Sequence, residues 1–183
     1  MSLEALPIAQ VGQAILKQPA QPVKMFDDGL NQFVEQLLTT MLKANGIGIA
    51  APQVFDPRAI MIIASKANPR YPDAPDMQPI VMINPKLLSH NNITDKQYEG
   101  CLSVPGVRGL VPRYTEIEFE YQDLKGQIHR QSWQGFLARI FQHELDHLLG
   151  KTWLDRVESN QDIIAESVLV QQMANSHPKT SEN

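Results

Sequence analysis

Glu116-Ile117-Glu118-Phe119-Glu120-Tyr121 alternates without a break, with Ile117, Phe119 and Tyr121 on one side and three glutamates on the other. Successive side chains of a strand point to opposite faces, so this run is a strand with one buried and one wetted face. Asp123-Leu124-Lys125-Gly126 follows as a turn. A return strand over about 127–133 completes a hairpin, and a helix of about 134–149 comes next, stopped at Gly150. Two strands joined by a tight turn must be antiparallel, because a parallel pair needs a long crossover.

Reading outward towards the N-terminus, Ala59-Ile60-Met61-Ile62-Ile63-Ala64 is a buried strand, and Ile80-Val81-Met82-Ile83 is a second, stopped by Asn84-Pro85. Residues 65–79 carry Pro69, Pro72, Pro75 and Pro79 and read as a surface loop. Leu30, Phe33, Val34, Leu37, Leu38, Met41 and Leu42 form one apolar stripe at helical spacing. The spacing predicts a helix over 28–44, capped by Asp27 or Asp28 and ended by Asn45-Gly46. Residues 1–25, broken by Pro7, Pro19 and Pro22, read as extended pieces packed over the body. A last short helix is expected over 161–174, and the polar chain from about 175 to 183 as a frayed tail. Strands and helices do not alternate regularly. The expected class is therefore α+β: antiparallel strands around a central helix, with an N-terminal helix and a short C-terminal one.

The length of 183 residues suits a single catalytic domain spanning 1–183. A formal charge of −4 and no concentrated basic stretch argue against specific nucleic-acid binding. No apolar run approaches the roughly 18 residues of a membrane span. The opening Met1–Ala5 has no basic region followed by an apolar run, so no secretory leader is expected. The single cysteine, Cys101, excludes an intrachain disulfide, and a cytoplasmic location is the natural expectation.

The helix at 134–149 carries Gln142-His143-Glu144-Leu145-Asp146-His147. Positions i and i+4 share a helix face, so both imidazoles can reach one metal ion while Glu144 lies beside it. This arrangement suits metal-assisted activation of water for hydrolysis. Phe136, Ile140, His143 and His147 form one stripe, placing two apolar side chains next to the metal. The third ligand stays open on spacing alone. Trp153 stands where one group of zinc proteases has a third histidine, Glu166 is 19 residues past His147, and the Cys101 thiolate is the remaining candidate. Gly46-Ile47-Gly48-Ile49-Ala50-Ala51-Pro52-Gln53 lets backbone approach a ligand, yet it lacks the ending of a phosphate loop and follows a helix.

Taken together and in order, GIGIAAPQ (46–53), EGCLS (99–103) and QHELDH (142–147) resemble the three signature motifs of peptide deformylases. The resemblance runs from about Leu6 to Asp155. It implies removal of the formyl group from the N-terminal formylmethionine of new polypeptides, with release of formate. It implies metal ligation by Cys101, His143 and His147, with water in the fourth position. Glu144 would take a proton from that water and pass it to the leaving amine. The Gln53 amide and the Leu102 N–H would meet the developing oxyanion. The resemblance also implies one divalent ion per chain, usually ferrous iron, with zinc, nickel or cobalt able to occupy the site.

The expected partners are N-formylmethionyl peptides and nascent chains, with a transient ribosome contact left open. Phe136 and Ile140, with Ile47 nearby, suit an unbranched methionine side chain. The peptide would run along Gly46, Ile47 and Gly48 as an added strand, with Arg108 near the entrance. Two residues depart from the pattern. Phe55 stands where the family often has glycine, so the loop after Gln53 is expected to differ. Arg139 stands where an apolar residue is expected, and reads as facing solvent or shaping the entrance.

Overall fold

A computed structural model describes residues 4–67 and 74–176. The first helix, α1, spans Asp28–Lys43, and the Asp27 carboxylate accepts the Leu30 N–H at 2.9 Å as its N-cap. Leu30, Val34, Leu37 and Met41 of its apolar stripe are buried, whereas Leu42 turns to solvent. Then come β1 (Gly48–Ala50), β2 (Ile60–Ser65), β3 (Met77–His90), β4 (Thr94–Cys101), β5 (Val104–Tyr114), β6 (Glu116–Gln122), β7 (Ile128–Gln134) and α2 (Gly135–Leu148). The described chain ends with β8 (Ile163–Ala165) and α3 (Glu166–Ser176).

Five strands form an antiparallel sheet in the order β1-β2-β3-β6-β7, and three form a second in the order β4-β5-β8. The continuous apolar run of β2 has a simple cause. Ile60 and Ile62 pack with Leu30, Val34, Leu37 and Met41 of α1, while Met61 and Ile63 pack with Ala138, Ile140 and Phe141 of α2. The strand is buried on both faces, so it has no polar side to alternate with. The alternating β6 behaves as read: Ile117, Phe119 and Tyr121 join the α2 side of the core. The expected α+β arrangement around a central helix is what forms.

Three local expectations need correction. Asn84-Pro85 does not stop a strand, since β3 runs on to His90. The register against β6 shifts between Ile83 and Lys86, so the proline sits where the ladder is already interrupted. Asn84 takes φ +50°, and its amide accepts the Val23 N–H at 2.7 Å and donates to the Val23 carbonyl and to Gln122. Pro79 likewise lies inside β3, at the shift between the Ile63–Ile80 and Ser65–Met77 pairs. Pro69 and Pro72 lie outside the described residues. At the C-terminal end, Ile163–Ala165 pairs with Val107–Gly109 of β5 instead of being helical, and the helix starts only at Glu166. Of the expected tail, residues 177–183 lie outside the described residues.

Candidate active site

Buried polar groups must be satisfied, and α2 is buried nearly all round. Gln142 bonds to both backbone groups of Tyr114, and Asp146 takes Arg113 and Arg156. Arg139, only 4 % exposed, does not face solvent; it stands in the pocket wall. Its guanidinium donates to Glu99 at 2.8 Å, to the Val111 carbonyl, and to Asp95 at 2.6 Å. Glu99 is the hub. It receives both Nε and Nη2 of Arg113 at 2.9 Å, and it meets His143 Nδ1 at 2.8 Å. Burial alone would raise its pKa, but the Arg113 fork and His143 hold it well below the usual carboxylate range. A fixed anion on Nδ1 sets the His143 ring so that Nε2 faces the cleft.

At the end of β4, Glu99-Gly100-Cys101 brings the thiol to this helix. Cys101 Sγ lies 3.2 Å from His147 Nε2, and the donor atoms of Cys101, His143 and His147 all lie within 4.8 Å of one another. Burial opposes ionisation of Cys101, but the adjacent His147 and His143 outweigh it and hold the thiol well below its usual range. One soft anionic and two imidazole donors, so close together, fit a single divalent transition metal. Glu166, the rival ligand, is instead paired with Arg108 at 2.7 Å.

Glu144 is buried beside the cluster, and desolvation pushes its pKa up to about 7. Its Oε2 has no hydrogen-bond partner among the described residues. A carboxylate kept dry, with a pKa near neutrality and one oxygen unpartnered, is suited to accept and return a proton. Gln53 is pinned: its Oε1 accepts the Ala50 N–H at 2.9 Å, and its NH2 group reaches Ser103 Oγ at 3.1 Å and Cys101 Sγ at 3.5 Å. The N-terminal segment secures both halves of this corner, with Ala9 N–H on the Gln53 carbonyl and Val11 N–H on that of Ser103, each at 2.8 Å. Phe55 adopts φ +65° despite its bulk, so the loop after Gln53 keeps the left-handed turn that glycine would favour.

Gly46, Ile47, Gly48, Gln53, Cys101, Leu102, Arg108, Phe136, Ile140, His143 and Glu144 all line one pocket. His147 is not part of that lining; it is fully buried and joins Cys101 and His143 in the metal-ligating cluster. The structure thus brings together every residue that the sequence reading placed in the site. It adds Asn45, Tyr98, Gly100 and Arg139 to the lining, and Glu99 behind His143. Glu99 could have been suspected from its place two residues before the cysteine, but its role depends on contact between β4 and α2, which spacing does not carry.

Comparison with known proteins agrees with this geometry. The sequence profile described as polypeptide deformylase matches residues 5–162. The chain belongs to that family. Peptide deformylase 2 of Nostoc sp. is 50% identical over 167 residues, covering 91% of this chain and 93% of the relative. Peptide deformylase 2 of Shewanella oneidensis is 52% identical over 151 residues, covering 82% and 83%. Among solved structures, the Met-Ala-Ser-bound class I type b peptide deformylase of Acinetobacter baumannii superposes with a TM-score of 0.83 at 43% identity, covering 85% of this chain and 100% of that one. A peptide deformylase of Synechococcus elongatus in complex with actinonin gives 0.76 at 34% identity, covering 96% and 90%. Like other peptide deformylases, the protein is a hydrolase that removes the N-formyl group from nascent polypeptides, and the family is metal-dependent. No described helix is long and apolar enough to cross a membrane.

Proposed function

We propose that Glu144 is the proton carrier of deformylation, and that Cys101, His143 and His147 hold the catalytic ion. The observation that carries this reading is the buried Glu144 carboxylate, its Oε2 without a partner among the described residues and its pKa raised to about 7, beside three converging metal donors. The ion is ferrous iron by preference, with zinc, nickel or cobalt able to replace it, and when bound it supplies Lewis acidity towards the formyl carbonyl and water. Glu144 accepts a proton as the water oxygen bonds to the formyl carbon, and returns it to the amine nitrogen as the C–N bond breaks. Formate and a free α-amine leave. The Gln53 NH2 group, fixed by Ser103 and Ala50, and the Leu102 N–H meet the negative charge on the formyl oxygen.

The methionine side chain lies among Phe136, Ile140 and Ile47, with the peptide extended along Gly46–Gly48 and past Arg108. Gly48 needs to be glycine, because a Cβ there would fall on the Glu144 carboxylate. The Acinetobacter relative was solved with Met-Ala-Ser bound, which supports peptide binding by this fold. We infer further that residues 1–183 act as one catalytic domain in the cytoplasm, on formylmethionyl peptides and nascent chains.

The test is formate release from formyl-Met-Ala-Ser by anaerobically purified protein, with metal measured on the same sample and Glu144→Ala run beside it. Release by the wild type with about one metal per chain, and none by a variant that keeps its metal, is the expected result. A metal-loaded wild type that releases no formate would overturn the reading.

A further inference from the structure

Glu166 takes no part in metal binding, yet it reaches the pocket through Arg108. β8 runs antiparallel to β5 with Val107 opposite Ala165 and Arg108 opposite Ile164, so α3 begins beside the arginine. The carboxylate and guanidinium meet at 2.7 Å, with side-chain exposures of 8% for Arg108 and 32% for Glu166. Glu166 also occupies the first turn of α3, where the helix dipole favours an anion. On its other side the Arg108 guanidinium lies against Gly100: a Cβ there would sit 2.6 Å from Cζ. Gly100 is the residue between Glu99 and Cys101, and it lines the pocket together with Arg108. A nearly buried cation therefore stands at the pocket wall with a carboxylate from the C-terminal segment on its outer side.

We propose that Glu166 sets the charge preference for the peptide residues that follow formylmethionine, by neutralising Arg108. The inference rests on the peptide path proposed above. An isolated arginine at this wall would attract an acidic residue passing it. A paired one presents a short dipole, whose field falls off much faster than that of a lone charge. The intact pair therefore leaves the entrance indifferent to charge, as suits an enzyme that meets nascent chains of every sequence. Glu166 is a specificity-determining residue that need not touch the substrate.

The experiment compares formyl-Met-Xaa-Ser peptides, with Xaa as Glu, Ala or Lys, on metal-loaded wild type, Glu166→Gln and Arg108→Gln, at low and high salt. The wild type should show similar KM values for all three. In Glu166→Gln, KM for the Glu peptide should fall roughly threefold to fivefold relative to Ala, the scale of one exposed ion-pair partner. Arg108→Gln leaves the carboxylate behind and should shift preference the other way, towards Lys. Both biases should shrink at high salt. If either variant moves the three peptides by one common factor, Glu166 is only a brace and the proposal fails. Should one variant not fold, the sign of the bias in the other still decides. Wild type that releases no formate from the Ala peptide would instead overturn the underlying reading of the site.

Discussion

At Gly48 the backbone of β1 passes so close to α2 that any side chain would displace the Glu144 carboxylate. Gly48→Ala should therefore lower kcat at least about tenfold, a barrier change of roughly 1.4 kcal/mol. Metal content and the denaturation midpoint should stay near wild type, since the cluster and the core are untouched. Phe55 illustrates the opposite case, a bulky residue held at φ +65° with nearly half its surface exposed. Glycine relieves that strain, so Phe55→Gly should raise stability by about 0.5–1 kcal/mol in urea unfolding without altering kcat. The residues proposed to carry the chemistry are readable because their spacing is itself the requirement: two imidazoles four apart, with a carboxylate beside them. At Phe55 local preference does not decide the turn, because the surrounding backbone bonds impose it, among them Phe55 N–H to the Pro52 carbonyl. Arg139 turns inward to the pocket wall rather than to solvent, because β4 brings Glu99 and Asp95 to pair it, and spacing alone does not show that contact.

The elements around α2 extend that point. Arg139 and Arg113 share Glu99, and Arg113 also holds Asp146, with every one of these side chains at most 5% exposed. Removing one member leaves an uncompensated buried charge, so Arg139→Leu should destabilise by about 3–5 kcal/mol in denaturant unfolding. It should also weaken metal retention, because Glu99 then aims His143 less firmly. The hairpin that supplies Glu99 was the least visible part of the sequence. Val104–Tyr114 contains two prolines and two glycines, and Thr94–Gln97 is wholly polar, so every local signal there reads as loop. Pairing from Thr94↔Tyr114 to Cys101↔Val104, and the Trp153 ring packed on Gly109, override those signals from a distance. By contrast α1, α2, β2 and the β6–β7 hairpin declare themselves, because each buries a face with its own period.

For the whole molecule, the three metal donors come from two separate layers, since Cys101 belongs to the small sheet and both histidines to the helix lying on the large one. An ion that binds only the folded arrangement stabilises it by mass action. Chelation should thus abolish formate release and also lower Tm by several degrees, with both recovering on addition of ferrous iron or nickel. The division between layers was beyond sequence reading, because nothing in the spacing of the motifs says which sheet each belongs to. It also means that Glu99 on His143 joins the two layers in the same contact that aims a ligand. Turnover in this enzyme is consequently a gauge of assembly: on slow warming, formate release should fade as the small sheet loosens from the helix, ahead of the far-ultraviolet signal of the strands and helices themselves. The chemistry fails at a joint before the parts it joins have melted.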